Sequence, residues 1–314
     1  MISFALIALA ALVPSLDASQ VAPGVFLVRG VFSPGSQPDG NTVVFRAPGG
    51  LIVIDTGRHP EHTRRIVEFA ICEGRPVAAI VNTHWHLDHV GGNGLLRGRF
   101  PGARVFASDA IREARTGFLA SYRRQLEEMV KTTPDAARRD ALRAELGLID
   151  RGATLEPDEV IARPGRRTLA GLVVEVGLET RAVTAGDVWL FDPRTKVLVA
   201  GDLVTLPAPL LDTACPARWS ESLERLSRVG FKLLVPGHGE PMTRAGFETY
   251  RAGFTHLLAC GASDQPAENC TSGWLRDVST LVPEKAQPFA RSLMDHYVGL
   301  LRSDPAKIAR LCGE

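Results

Sequence analysis

One short segment, Thr83-His84-Trp85-His86-Leu87-Asp88-His89-Val90-Gly91-Gly92-Asn93, constrains this chain more than any other. It puts three histidines and a carboxylate within six residues, directly after the apolar run Val77-Ala78-Ala79-Ile80-Val81. The run reads as a strand and the glycine pair as a turn into a helix. The four polar groups therefore sit on a loop at a strand's end, where α/β folds commonly build their sites. So many imidazole and carboxyl groups on one loop desolvate and repel one another unless an ion gathers them. Borderline metals such as Zn2+ take this ligand set.

Three further segments join the pattern: Asp55-Thr56-Gly57, Ala200-Gly201-Asp202 and Pro236-Gly237-His238-Gly239. With the H-x-H-x-D-H spacing over residues 84–89, they resemble the metallo-β-lactamase superfamily across about residues 25–243. The resemblance implies an α+β, four-layer αβ/βα sandwich with its metal-bearing loops along one shared edge. Carried over residue by residue, it implies two half-sites. His84 and His86 belong to the first; Asp88, His89 and His238 form the second; Asp202 is shared between them. Zn2+, one ion or two, is the implied cofactor.

The family usually has another histidine shortly before a Gly-Asp pair. The matching segment here is Ala182-Val183-Thr184-Ala185-Gly186-Asp187, so Val183 stands where that histidine would be, and valine cannot ligate a metal. Three arrangements stay open. One metal sits in the second half-site, or a ligand from elsewhere completes the first, or the centre is degenerate and only binds. His59 is the leading outside candidate and His62 the weaker one. The plainer reading of both is exposed polar residues at a helix start.

A metal held by Asp88, His89, His238 and Asp202 lowers the pKa of bound water towards neutrality and polarises a carbonyl or phosphoryl oxygen. Asp88 and Asp202 are the candidate catalytic residues, orienting the attacking oxygen. Asp55 is the expected partner that fixes the ligand loop. The expected activity is hydrolysis of a small-molecule ester, thioester, lactone or amide. The alternatives are a β-lactamase and a non-catalytic periplasmic metal- or ligand-binding protein. A non-heme iron oxygenase ranks lower, because it relies on the missing histidine.

Charge narrows the substrates. The 36 basic and 35 acidic residues leave +1, so no basic field awaits a nucleic acid. Residues 2–13 form an apolar run broken only by Ser3 and followed by Pro14. This reads as a signal peptide over residues 1–18, giving a periplasmic or secreted protein without stable membrane anchoring. Cysteine usage agrees with export: Cys260 with Cys270, and Cys215 with Cys312, are candidate disulfides, and Cys72 reads as a buried thiol.

Strands are expected at 25–31, 42–46, 51–55, 78–82 and 104–107, then at 172–176, 188–191, 197–200 and 233–235, with helices at 61–73 and 220–229. The family domain spans 19–250. Its helical insertion covers 109–150, with Thr132 or Thr133 capping the helix after Pro134. Residues 251–314 form a helical extension. Substrate contacts are expected on the insertion and on the loop 203–215; oligomeric state is not readable.

Overall fold

Alternate residues of the run Leu51-Ile52-Val53-Ile54 enter different cores. Ile52 and Ile54 join one hydrophobic cluster, Leu51 and Val53 another. Side chains alternate across a strand, so an unbroken apolar run is a strand covered on both faces. The same holds in residues 197–200, where Val197 and Val199 face the first cluster and Leu198 and Ala200 a third.

The computed structural model describes residues 18–313. The segment read as a signal peptide lies outside the described residues, save Ala18. The first sheet runs in chain order: β1 (Ala18–Ala22), β2 (Val25–Val28), β3 (Thr42–Ala47), β4 (Gly50–Ile54), β5 (Val77–Val81), β6 (Arg104–Ala107) and β7 (Glu159–Val160). Pairing is antiparallel up to β4 and parallel from β4 to β7. The second sheet contains β8 (Gly165–Leu169), β9 (Leu172–Glu179), β10 (Asp187–Asp192), β11 (Val197–Thr205), β12 (Leu233–His238) and β13 (Met242–Thr243). Its order is β13-β12-β11-β10-β9-β8, with β11 and β12 as its parallel pair.

Ile54, Val81, Val188 and Val199 are among the residues that fill the space between the sheets. Helices α1 (Pro60–Cys72) and α3 (Asn93–Arg99), separated by the single turn α2 (Leu87–Val90), cover the first sheet through Ile66, Phe69 and Leu96. Helices α7 (Pro216–Leu226), α8 (Arg244–Gly261), α9 (Ala267–Asp277) and α10 (Gln287–Ser303) cover the second through Trp219, Phe254, Trp274 and Met294. These are the four layers expected. The carboxy-terminal helices share one core with the second sheet, and α11 (Pro305–Cys312) follows them.

The insertion folds as α4 (Ala110–Thr116), α5 (Phe118–Thr132) and α6 (Ala136–Asp150), and packs Ile111 and Leu119 against Trp85, Leu87 and Val90 of the ligand loop. Its second long helix is capped by Asp135, not by Thr132 or Thr133. The Asp135 carboxylate accepts from the Arg138 amide at 2.7 Å, while Thr132 is still the last residue of α5. Cys215–Cys312 and Cys260–Cys270 are both disulfides. Cys72 is exposed rather than buried. The buried stripe of α1 runs through His62, Ile66, Phe69 and Ala70, and Cys72 falls beside it in the last turn. No helix among the described residues is long and apolar enough to cross a membrane.

Candidate metal centre

The parallel strands deliver the site. His84 and His86 follow the carboxyl end of β5, Asp202 lies within β11 and His238 ends β12. Asn41 ties the two halves together here: its amide donates to the Gly237 carbonyl at 2.7 Å and its side chain to the carbonyls of Pro236 and Gly239.

Six residues singled out in the sequence converge in two groups that could hold a metal ion: His84, His86 and Asp202, and Asp88, His89 and His238. Asp202 faces both. Its Oδ2 is 3.8 Å from His84 Nε2, and its Oδ1 is 3.3 Å from His89 Nε2 and 3.6 Å from His238 Nε2. Asp88 Oδ2 lies 3.0 Å from His238 Nε2 and 3.5 Å from His89 Nε2. Close backbone approach makes room for these side chains. A Cβ at Gly40 would fall 2.4 Å from the His89 ring, and one at Gly237 1.9 Å from Asp202 Oδ1.

Hydroxyl and carboxylate partners fix which ring nitrogens are free. Asp55, at φ 59°, accepts from the Thr83 amide at 2.8 Å and the Thr83 hydroxyl at 2.7 Å, and pairs with His89 Nδ1 at 2.8 Å. A carboxylate only accepts, so His89 carries its proton on Nδ1 and offers the Nε2 lone pair to the centre. The Thr83 hydroxyl spends its one hydrogen on Asp55, so it accepts from His84 Nδ1 at 3.0 Å, and His84 also offers Nε2. Thr213 does the same for His86. Its hydroxyl donates to the Val183 carbonyl at 2.9 Å and accepts from His86 Nε2 at 2.9 Å, leaving Nδ1 free.

The electrostatics suit a divalent cation. His84 Nε2, His89 Nε2, His238 Nε2 and both Asp202 carboxylate oxygens are buried without a hydrogen-bond partner. Buried polar groups are normally satisfied, and these five face one another. Burial and the neighbouring His89 and His86 hold the His84 pKa well below its usual value. Burial also opposes protonation of His89, but the carboxylates of Asp202, Asp88 and Asp55 overcome it and raise its pKa. Imidazole lone pairs and carboxylate oxygens aimed at a common point are the donor set such an ion takes.

Val183 is buried in the core of the second sheet, and its amide donates to Asp187 at 2.9 Å. His59 stands outside both groups, with its Nδ1 against Asp39 at 2.8 Å. His62 is buried rather than exposed, between Thr42 and Arg65.

Sequence reading misses Arg58 and Thr213. Arg58 is buried between Asp88, at 3.5 Å, and Glu145 of the insertion. Its position directly after Asp55-Thr56-Gly57 is the available signal. Beside the ligands opens a cavity of about 390 Å3, walled by Phe32, Trp85, Phe118, Leu210, Phe289 and Leu293, with Asp88 and His86 among its lining.

A four-layer sandwich whose shared edge gathers imidazoles and carboxylates defines an α+β protein built around a candidate metal centre. The chain belongs to the metallo-β-lactamase superfamily, whose model matches residues 36–238. It is 27% identical over 221 residues to a linear primary-alkylsulfatase from Pseudomonas, covering 64% of this chain and 41% of that one. An (R)-specific secondary-alkylsulfatase from Pseudomonas is 25% identical over 205 residues, covering 58% and 29%. The chain thus spans less than half the length of these two relatives. The solved structure of a stereoselective inverting sec-alkylsulfatase from Pseudomonas superposes with TM-score 0.59 at 19% identity, covering 92% of this chain and 51% of that one. A metallo-β-lactamase from Pontibacter korlensis gives 0.55 at 20% identity, covering 76% and 98%.

Proposed function

We propose that this protein is a zinc-dependent hydrolase of small esters of apolar alcohols or acids, including lactones, acting outside the cytoplasm. The orphaned ligand atoms around one centre carry the reading. His84, His86, Asp88, His89, Asp202 and His238 would hold the metal. When bound, such an ion acidifies water and polarises the electrophile's oxygen.

The chain's own residues do the rest. Asp88 and Asp202 accept a hydrogen bond from the attacking water and orient it. Asp55, Thr83 and Thr213 keep the imidazole lone pairs aimed inward. The aromatic walls exclude competing water and receive the apolar part of the substrate. The one arginine lining this cavity, Arg58, is already neutralised by Asp88 and Glu145, and Asp212 adds a further carboxylate. That charge balance favours a neutral ester over an anionic one.

A second reading, hydrolysis of an alkyl sulfate ester, is favoured by the names of the two curated relatives. Elemental analysis, together with a panel of nitrophenyl carboxylic esters, lactones, nitrocefin and alkyl sulfates, tests both. Carboxylic ester or lactone turnover that disappears with a chelator is expected. Sulfate release alone selects the second reading, and metal-free protein that hydrolyses nothing overturns both. Val183→His should raise the bound metal per chain; no gain would count against an incomplete first group.

A further inference from the structure

A second cavity, of about 400 Å3, lies behind the wall formed by Arg58 and Tyr122, between the insertion and helices α1 and α3. It takes up one face of α6 and its carboxyl-terminal cap: Arg138, Ala141, Leu142, Glu145, Leu148 and Arg151 all line it. Positions three and four apart share a helix face. Arg138 and Arg151 are thirteen positions apart, which at about 1.5 Å per residue makes a groove roughly 20 Å long. Leu95 and Leu126 from the facing helices close it with Leu142 and Leu148 into an apolar strip, beside which run His59, Thr63 and the Arg58–Glu145 pair.

Charge is arranged at the two ends. Glu145, in the middle, is buried and paired with Arg58, which it shares with Asp88. Arg138 and Arg151 are exposed, and neither guanidinium has an ion-pair partner among the described residues. Many other arginines of this chain are paired, including Arg123 and Arg143 on the same hairpin. A trough with an apolar strip along its length and an unpaired guanidinium at each mouth complements a long chain that ends in an anion. Guanidinium groups bind carboxylates through paired, charge-assisted hydrogen bonds.

We propose that the groove along α6 binds a single-chain amphiphile with an anionic head group, at a site separate from the metal-side cavity. The tail lies on Leu95, Leu126, Leu142 and Leu148, and the head pairs with Arg138 or Arg151. This site does not depend on the metal or on hydrolysis.

Calorimetric titration of the full chain with dodecanoate, kept below its micelle concentration, tests the proposal. One saturable site is expected. The double variant R138E/R151E should weaken it about tenfold or more, the scale of one lost charged hydrogen bond. Ala144→Trp, which fills the groove from an exposed helix position, should abolish it. Leu293→Asp, which lines only the metal-side cavity, should leave it unchanged. Absence of binding would overturn the proposal. So would equally tight binding of dodecanol, or binding that survives Ala144→Trp and is lost in Leu293→Asp.

Discussion

The guanidinium of Arg58 lies 3.5 Å from the carboxylate of Asp88, inside the protein, with Glu145 on its other side. One buried cation thus joins a candidate metal ligand to the helical insertion. Burial opposes its charge, and Glu145 and Asp88 overcome that opposition.

Removing Arg58 leaves two buried carboxylates facing each other. Arg58→Leu should destabilise the fold by about 3–5 kcal/mol, the cost of breaking one side of a buried ion pair. The double variant R58L/E145L should recover part of this loss, because one of the two carboxylates goes too and Asp88 keeps His89 and His238 beside it. Urea denaturation of the parent and both variants checks the two outcomes.

Asp55 and Thr213 reach the candidate metal centre only through the rings they hold. Asp55→Asn and Thr213→Val should each weaken metal binding by roughly 10–100-fold, the usual effect of losing a partner of a ligating histidine. Thr213→Ser keeps the hydroxyl and should bind nearly as well as the parent. Competition against a chromophoric chelator measures all three. Equal affinity for Thr213→Val and the parent would remove the role given to its hydroxyl.

His62 supplies a pH dependence. Arg65 can only donate, so His62 Nδ1 accepts, and Nε2–H donates to the Thr42 hydroxyl at 2.8 Å. Burial lowers its pKa to about 4. A histidine depressed in the folded state contributes full stability above its unfolded pKa, about 6.5. That contribution is lost as pH falls towards about 4, by about 3 kcal/mol in all. Thermal melts between about pH 7 and about pH 4 should show this slope, and His62→Gln should flatten it.

The disulfides leave one thiol. Titration of native protein with a thiol reagent should find Cys72 alone, without unfolding, because it is exposed. Cys312→Ser opens a loop closed over 97 residues. Stability should then fall by about 2–4 kcal/mol.

The candidate metal ligands are legible in the sequence because each follows an apolar run, with Gly201 beside Asp202 and Gly237 beside His238, a local signal. The layers are legible for a related reason, since runs such as 51–54 need cover on two faces. The partners of the ligands are not. Arg58 meets Glu145 across 87 positions and His86 meets Thr213 across 127. No local periodicity encodes such pairs. His62 reads as a polar residue opening a helix, yet the helix turns that position towards Thr42. Cys72 reads as buried because its neighbours are apolar, and one step of helical rotation puts it outside.

The bridge between Cys215 and Cys312 also ties the loop beside the metal-side cavity to the last residue of α11. Thr213, which bonds His86 and borders the metal-side cavity, lies two positions before Cys215. The Cys215 amide donates to the Ala182 carbonyl and the Thr213 hydroxyl to the Val183 carbonyl, so this loop is anchored to the segment between β9 and β10, and the bridge adds a tie to a residue 97 positions downstream. On the hydrolase reading proposed above, reducing surroundings would loosen one tie on the cavity wall while removing none of the six candidate ligands.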